Sequence, residues 1–405
     1  MASRSLLFSL RLEIRCLCAS EKTSVFGGRF LSSGAPRSEE VLDEELNAKE
    51  VGDDLKSRIF RLRLPKRSAI NAIQRWVSEG KTVTASELRQ ISKELRQSQR
   101  YKHALEISEW MTTHEEFKLS DYDYATRIDL ITKVFGVDAA ERYFEGLPHS
   151  AKTSETYTAL LHSYAGAKLI ERAEEFFERI KGSNLSFSAL TYNEMMTLYM
   201  SVGQVEKVPL IVEELKRQKV VPDIFTYNLW ISSCAAALDI DQVRKILDEM
   251  SHDSTTNDDW LRYVNIVNIY VRAGLLMNTE SGTVVEAGKP ITQREWITYD
   301  FLIILYAGLQ DKGKIDQIWK SLRMTKQKMT SRNFISVLSS YLVLGHFKEV
   351  GEVMDQWKQS SSTGFDISAG NRLLDALSAA GLPEIADNFR MLLIERNCDP
   401  TSTSR

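Results

Sequence analysis

Little in this chain bends it sharply or clamps it covalently. Only 8 prolines and 20 glycines occur in 405 residues, too few for a disordered, linker-dominated or many-turned β protein. The four cysteines, Cys16, Cys18, Cys234 and Cys398, form no Cys-x-x-Cys pair. That argues against a disulfide framework and against a cysteine-rich metal site. The longest apolar run, Phe301 to Leu309, is about half the length a membrane span needs. The six histidines are scattered, with no His-Glu-x-x-His, and neither a phosphate-cradling P-loop nor a dinucleotide-binding glycine motif is present. His114 and Glu116 match the His-x-Glu of a zinc deaminase, but no Cys-x-x-Cys follows. Neither catalysis nor a metal or other cofactor is expected.

What is present is a periodic pattern. A Thr-Tyr pair, or one close to it, opens a helical pattern at Tyr157, Tyr192, Tyr227, Tyr263 and Tyr299, at spacings of 35, 35, 36 and 36 residues. Phe334 continues the phase another 35 residues on. A period this steady means stacked copies of one unit, each burying its apolar face on the next. In such a fold the functional site is one face, built from the same position of each unit. About eight units are expected between residues 85 and 401.

Each unit reads as two antiparallel helices. Tyr227, Leu229, Trp230 and Ile231 suit a buried first helix, with Asp223 placed to cap it. Val243, Ile246, Leu247 and Met250 then fall at i, i+3, i+4 and i+7, one stripe of a second helix. The stripe recurs in phase as Ala173, Phe176, Phe177, Ile180, as Ile315, Ile318, Trp319, Leu322, and as Val350, Val353, Met354, Trp357. The repeated tyrosines and Trp110, Trp230, Trp319 and Trp357 are expected in the core. Two places strain the pattern. Pro209 lies early in a second helix and is expected to bend it. Asn278 to Gly288 holds Ser-Gly and Ala-Gly where another second helix should run, so that unit is expected to be distorted.

The N-terminus differs in kind. Arg4, Arg11, Arg15, Lys22 and Arg29 stand against only Glu13 and Glu21 in residues 1–31, among serines and leucines. This resembles an organellar transit peptide, and Arg29-Phe30-Leu31-Ser32-Ser33 resembles a plant mitochondrial processing site. A chloroplast leader or a plain basic tail are the alternatives. Residues 32–57 read as an acidic disordered linker and 58–84 as an N-terminal capping helix ahead of the repeat array of 85–405. The formal net charge is −3, and removal of 1–31 leaves −6. Strong nonspecific phosphate binding calls for a basic protein.

The period, Thr-Tyr-Asn at 191–193 and 226–228, and the Val-Pro-Asp and Cys-Asp-Pro near unit ends resemble the pentatricopeptide repeat. The likeness covers roughly 85–401. Arg100 to Met111 looks like the opening of the plant organellar subgroup built only from standard-length repeats. The resemblance implies a right-handed all-α solenoid superhelix that binds single-stranded RNA, one base per repeat. In that family the fifth and last residues of a unit read the base edge, and the second residue packs on its face. Carried over, the readers are Asn193 with Asp223 and Asn228 with Asp259, an Asn/Asp pairing that favours uracil. Thr158 with Ser188 is an ambiguous pair that leans to purine. Leu190, Phe225 and Leu261 take the packing position, so that two adjacent bases would sit between them. Val264 with Glu295 and Ile335 with Asp366 put an apolar residue where a reader belongs. Asp300 with Thr330 and Asn371 with Thr401 are not well-defined pairs. Local capping by the Asn and Asp residues is the alternative reading. The implied role is RNA processing, stability, editing or translation in mitochondria without chemistry. The alternative is a protein scaffold within a mitochondrial ribonucleoprotein such as the ribosome.

Overall fold

The computed structural model describes residues 54–62, 68–114, 116–237, 239–252, 258–275, 290–324, 329–360, 365–396 and 398. The expected leader, the expected linker up to residue 53 and the whole of the suspect stretch 278–288 lie outside these. All regular structure among the described residues is helical. The chain divides into two compact units, Met1–Ser186 and Phe187–Arg405.

In the first unit, α1 (Leu55–Phe60) and α2 (Ala69–Ser78) precede the pairs α3 (Ala85–Gln97) with α4 (Tyr101–Thr113), α5 (Asp121–Phe135) with α6 (Val137–Glu145), and α7 (Ser154–Gly166) with α8 (Ile170–Lys181). Helix α1 begins inside the expected linker, because the Asp54 carboxylate accepts from Ser57 N and caps it. The second unit holds the pairs α9 (Ala189–Val202) with α10 (Val208–Arg217) and α11 (Ile224–Ala236) with α12 (Ile240–His252). A single helix, α13 (Asp258–Tyr270), follows and runs into a π-helical turn, Val271–Leu275. Three more pairs are α14 (Pro290–Gly308) with α15 (Lys312–Met324), α16 (Ser331–Val343) with α17 (Phe347–Gln359), and α18 (Ile367–Ala379) with α19 (Pro383–Glu395).

The pairs form because the sequence supplies a stripe, a turn and a cap at each period. The second-helix stripes are buried throughout, from Ala173 to Trp357. Aromatic rings join successive pairs, Phe144 lying edge-on to Tyr157 at 5.0 Å and Trp319 edge-on to Phe334 at 5.7 Å, and within a pair Phe334 stacks on Trp357 at 5.0 Å. Each such ring removed from water contributes about 1.5–3 kcal/mol. Tyr192, Tyr227 and Tyr263 are buried as expected, while Tyr157 and Tyr299 are half-buried. The turn inside a pair needs one left-handed residue. Gly203 and Gly345 supply it at φ 78° and 73°, and Lys168 and Gln310 take it at 57°.

Pro209 does not bend its helix. A 3-10 turn, Val205–Lys207, comes first, and α10 starts at Val208, so the proline stands in the first turn where its missing N–H is not needed. The irregular unit departs more deeply from the simple repeat. Helix α14, not α13, lies along α11 as the next first helix of the stack. Helix α13 packs on α14, α16 and α18 instead.

Candidate nucleic-acid interface

The strongest expected reader is assembled from two helices. Asp223 is the N-cap of α11: its Oδ1 accepts from Thr226 N at 2.8 Å, while Thr226 Oγ1 accepts from Asp223 N at 3.2 Å. This capping box fixes the carboxylate at the helix start. Asn193, early in α9, donates from Nδ2 to Asp223 Oδ1 at 3.1 Å. The Thr226 hydroxyl lies 2.8 Å from Asn193 Oδ1 and 2.9 Å from Asp223 Oδ1, one hydrogen between two acceptors. The two readings of Asp223 are therefore compatible, since one carboxylate caps α11 and holds the Asn193 amide. Asn193 is 3% exposed. Its second amide hydrogen and second carbonyl lone pair are what a base edge could use. Leu190 and Phe225, one on each helix, are half-buried beside it.

The other expected pairs fare differently. No hydrogen bond joins Asn228 to Asp259. Asn228 Oδ1 accepts from the Tyr263 hydroxyl at 3.1 Å, and Asp259 Oδ1 accepts from Arg262 Nη1 at 3.0 Å. The reason is the displacement of α13: Asp259 and Leu261 ride on a helix that does not follow α11 in the stack. Leu261, 48% exposed, is thus not next in a row after Leu190 and Phe225. Thr158 turns its hydroxyl back to Ser154 O at 2.7 Å on α7. Ser188, exposed, is the N-cap residue of α9 in the other compact unit.

Further along, three reader positions are buried, while Asn371 is half-exposed. Val264 and Ile335 lie in the core. Asp300 is fully enclosed and accepts from the Tyr270 hydroxyl at 2.8 Å, from Asn333 Nδ2 at 2.9 Å and from the Ser336 hydroxyl at 2.9 Å. Arg332 Nε stands 3.5 Å away. Burial pushes the Asp300 carboxyl up, against the guanidinium and the three hydrogen bonds. Burial and the Asp300 carboxylate push the Tyr270 phenol well above its usual range. Sequence reasoning missed both Thr226 as third member of the Asn193 site and Tyr263 as the occupant of Asn228. Thr226 was visible as part of Thr-Tyr-Asn, but the pattern marks it as a repeat signature and does not say what it touches.

Among the described residues no cluster of three or more His, Cys, Asp or Glu could hold a metal ion, and no helix is long and apolar enough to cross a membrane.

Family models match three stretches: the PPR repeat family over residues 187–236, the pentatricopeptide repeat domain over 154–201 and the PPR repeat over 225–254. A mitochondrial pentatricopeptide repeat-containing protein of Arabidopsis thaliana is 56% identical over 407 residues, covering 98% of each chain. The chain belongs to the pentatricopeptide repeat proteins. Another relative in that plant, large ribosomal subunit protein mL101, is 41% identical over 342 residues, 84% of this chain and 69% of that protein. Among solved structures, the pentatricopeptide repeat protein PPR10 in complex with an 18-nucleotide psaJ RNA element aligns at 15% identity with a TM-score of 0.40. The alignment covers 81% of this chain and 48% of that one.

Proposed function

We propose that this repeat protein binds single-stranded RNA in mitochondria, without catalysis, and recognises a uracil at the Asn193 repeat. The observation that carries the reading is the Asn193–Asp223 hydrogen bond, which orients an amide at the position the family uses for a base edge. Leu190 and Phe225 flank it as platforms for the base faces, a contact of about 1–3 kcal/mol per base for aromatic platforms. The basic leader and the mitochondrial relative support the compartment. RNA processing, stability, editing or translation would follow from occupancy of a transcript segment. Selection of random single-stranded RNA on the full chain tests this. Enrichment of a uracil-containing motif, with the uracil preference lost in Asn193→Ala, is the expected result. The same preference in that variant would rule the reader out.

A second reading is favoured by the burial of Asp300 and Ile335, by the Tyr263 hydroxyl that occupies Asn228, and by the likeness to a ribosomal protein. Here the chain is a scaffold in a mitochondrial ribonucleoprotein. It predicts that the protein sediments with the large ribosomal subunit and retains little free RNA.

A further inference from the structure

The inner face of a first helix is the side turned away from its paired second helix. On α16 the side facing the second helices is marked by Phe334, stacked on Trp357 of α17, and by Tyr341, whose hydroxyl donates to Asp316 Oδ1 of α15 at 2.6 Å. At 3.6 residues per turn, Ser336 and Ser339 stand on the opposite side. The same side of α14 carries Phe301, Ile304 and Gly308. A first helix with only a partner and two neighbours leaves this side partly in water, as α7 does at Glu155 and Ala159. Yet Ser336, Ser339, Phe301 and Ile304 are each 0% exposed.

What covers them is α13. The Tyr270 ring meets Phe301 edge-on at 5.5 Å, and its hydroxyl donates to Asp300 at 2.8 Å. A Cβ built on Gly308 would stand 2.8 Å from Tyr263 Cβ, so the two backbones meet where only glycine fits. Arg372 of α18 donates from Nε to Ala273 O at 3.0 Å, and so holds the far end. The apolar side of α13, from Tyr263 to Tyr270, is buried against these helices.

We infer that α13 is a built-in lining that closes the inner face of α14 and α16 to bases. It interrupts the row of base contacts after the Leu190–Phe225 step. The closure rests on packing alone, and the RNA that it excludes rests on the function proposed above. Charge points the same way by an independent route. Residues 54–225 hold 26 Lys and Arg against 24 Asp and Glu, while 226–405 hold 19 against 22. Phosphate favours the former.

Two measurements on the full chain, with Cys16→Ser and Cys18→Ser, separate the claims. In the first, a random single-stranded RNA pool containing a photoreactive uridine is cross-linked and the modified peptides are mapped. Cross-links within residues 85–225 and none at Phe301, Ile304 or Ile335 are expected. Cross-links at those three positions overturn the inference. No cross-link anywhere removes the RNA-binding function and leaves the closure to the second measurement. In that one, Ser339→Cys and Ala159→Cys, at inner positions of α16 and α7, are labelled with a maleimide. Ser339→Cys should react at least about 100-fold more slowly, because reaction requires local opening. Equal rates in folded proteins overturn the closure. Circular dichroism of each variant shows whether it has folded.

Discussion

At the scale of single residues, three side chains carry the candidate site, and they depend on one another. Asn193 is nearly enclosed, so its amide needs partners from the protein itself. Asp223 takes one amide hydrogen and Thr226 offers its hydroxyl to the carbonyl. Replacing Thr226 by valine removes half of the α11 capping box and leaves Asn193 Oδ1 without its donor. Thermal or denaturant unfolding of Thr226→Val should show a loss of about 1–2 kcal/mol. A neutral result would mean that water or a shifted Asn193 replaces the hydroxyl. The Asn/Asp pair was legible in the sequence because the repeat phase placed both residues. The threonine between them was not, because contact between residues 33 positions apart depends on how one pair stacks on the next.

At the scale of elements, the helix pairs were written in the chain. The stripe, the left-handed turn residue and the cap recur each period, and each acts within a few residues of its own position. The long apolar run Phe301–Leu309 was also visible, but its meaning was not. It is apolar on all sides because α14 is packed between its partner and α13. Gly308 is the residue most tightly tied to that arrangement. Gly308→Ala must push α13 away from backbone and Cβ, at about 1–3 kcal/mol, against a helix-propensity gain of about 1 kcal/mol. Gly313→Ala near the start of α15 meets only an Asp311 oxygen at 3.5 Å and should be neutral or stabilising. Urea unfolding of the two variants side by side checks this, and equal stabilities would refute the close approach.

At the scale of the whole molecule, charge sets how RNA could be held. With a formal net charge of −3, broad phosphate clamping is not the basis for affinity. The logarithm of RNA affinity should fall with the logarithm of salt at a slope no steeper than about −2, equivalent to roughly three phosphates. Filter binding across a salt series measures it. A much steeper slope would place the affinity in backbone contacts and weaken the case for base reading at Asn193.

The sequence by itself determined the helix pairs, their period, the family and the repeat phase that pairs Asn193 with Asp223. Those features follow from local periodicity and from capping, which act within one repeat. Only the tertiary structure decided that Thr226 joins Asn193 and Asp223 and that Asn228 meets Tyr263. It also decided that α13 leaves the stack to cover α14 and α16 and to pack on α18. Burial depends on which surfaces meet, and a repeat phase that counts residues along the chain carries no record of a helix crossing to neighbours a hundred residues away.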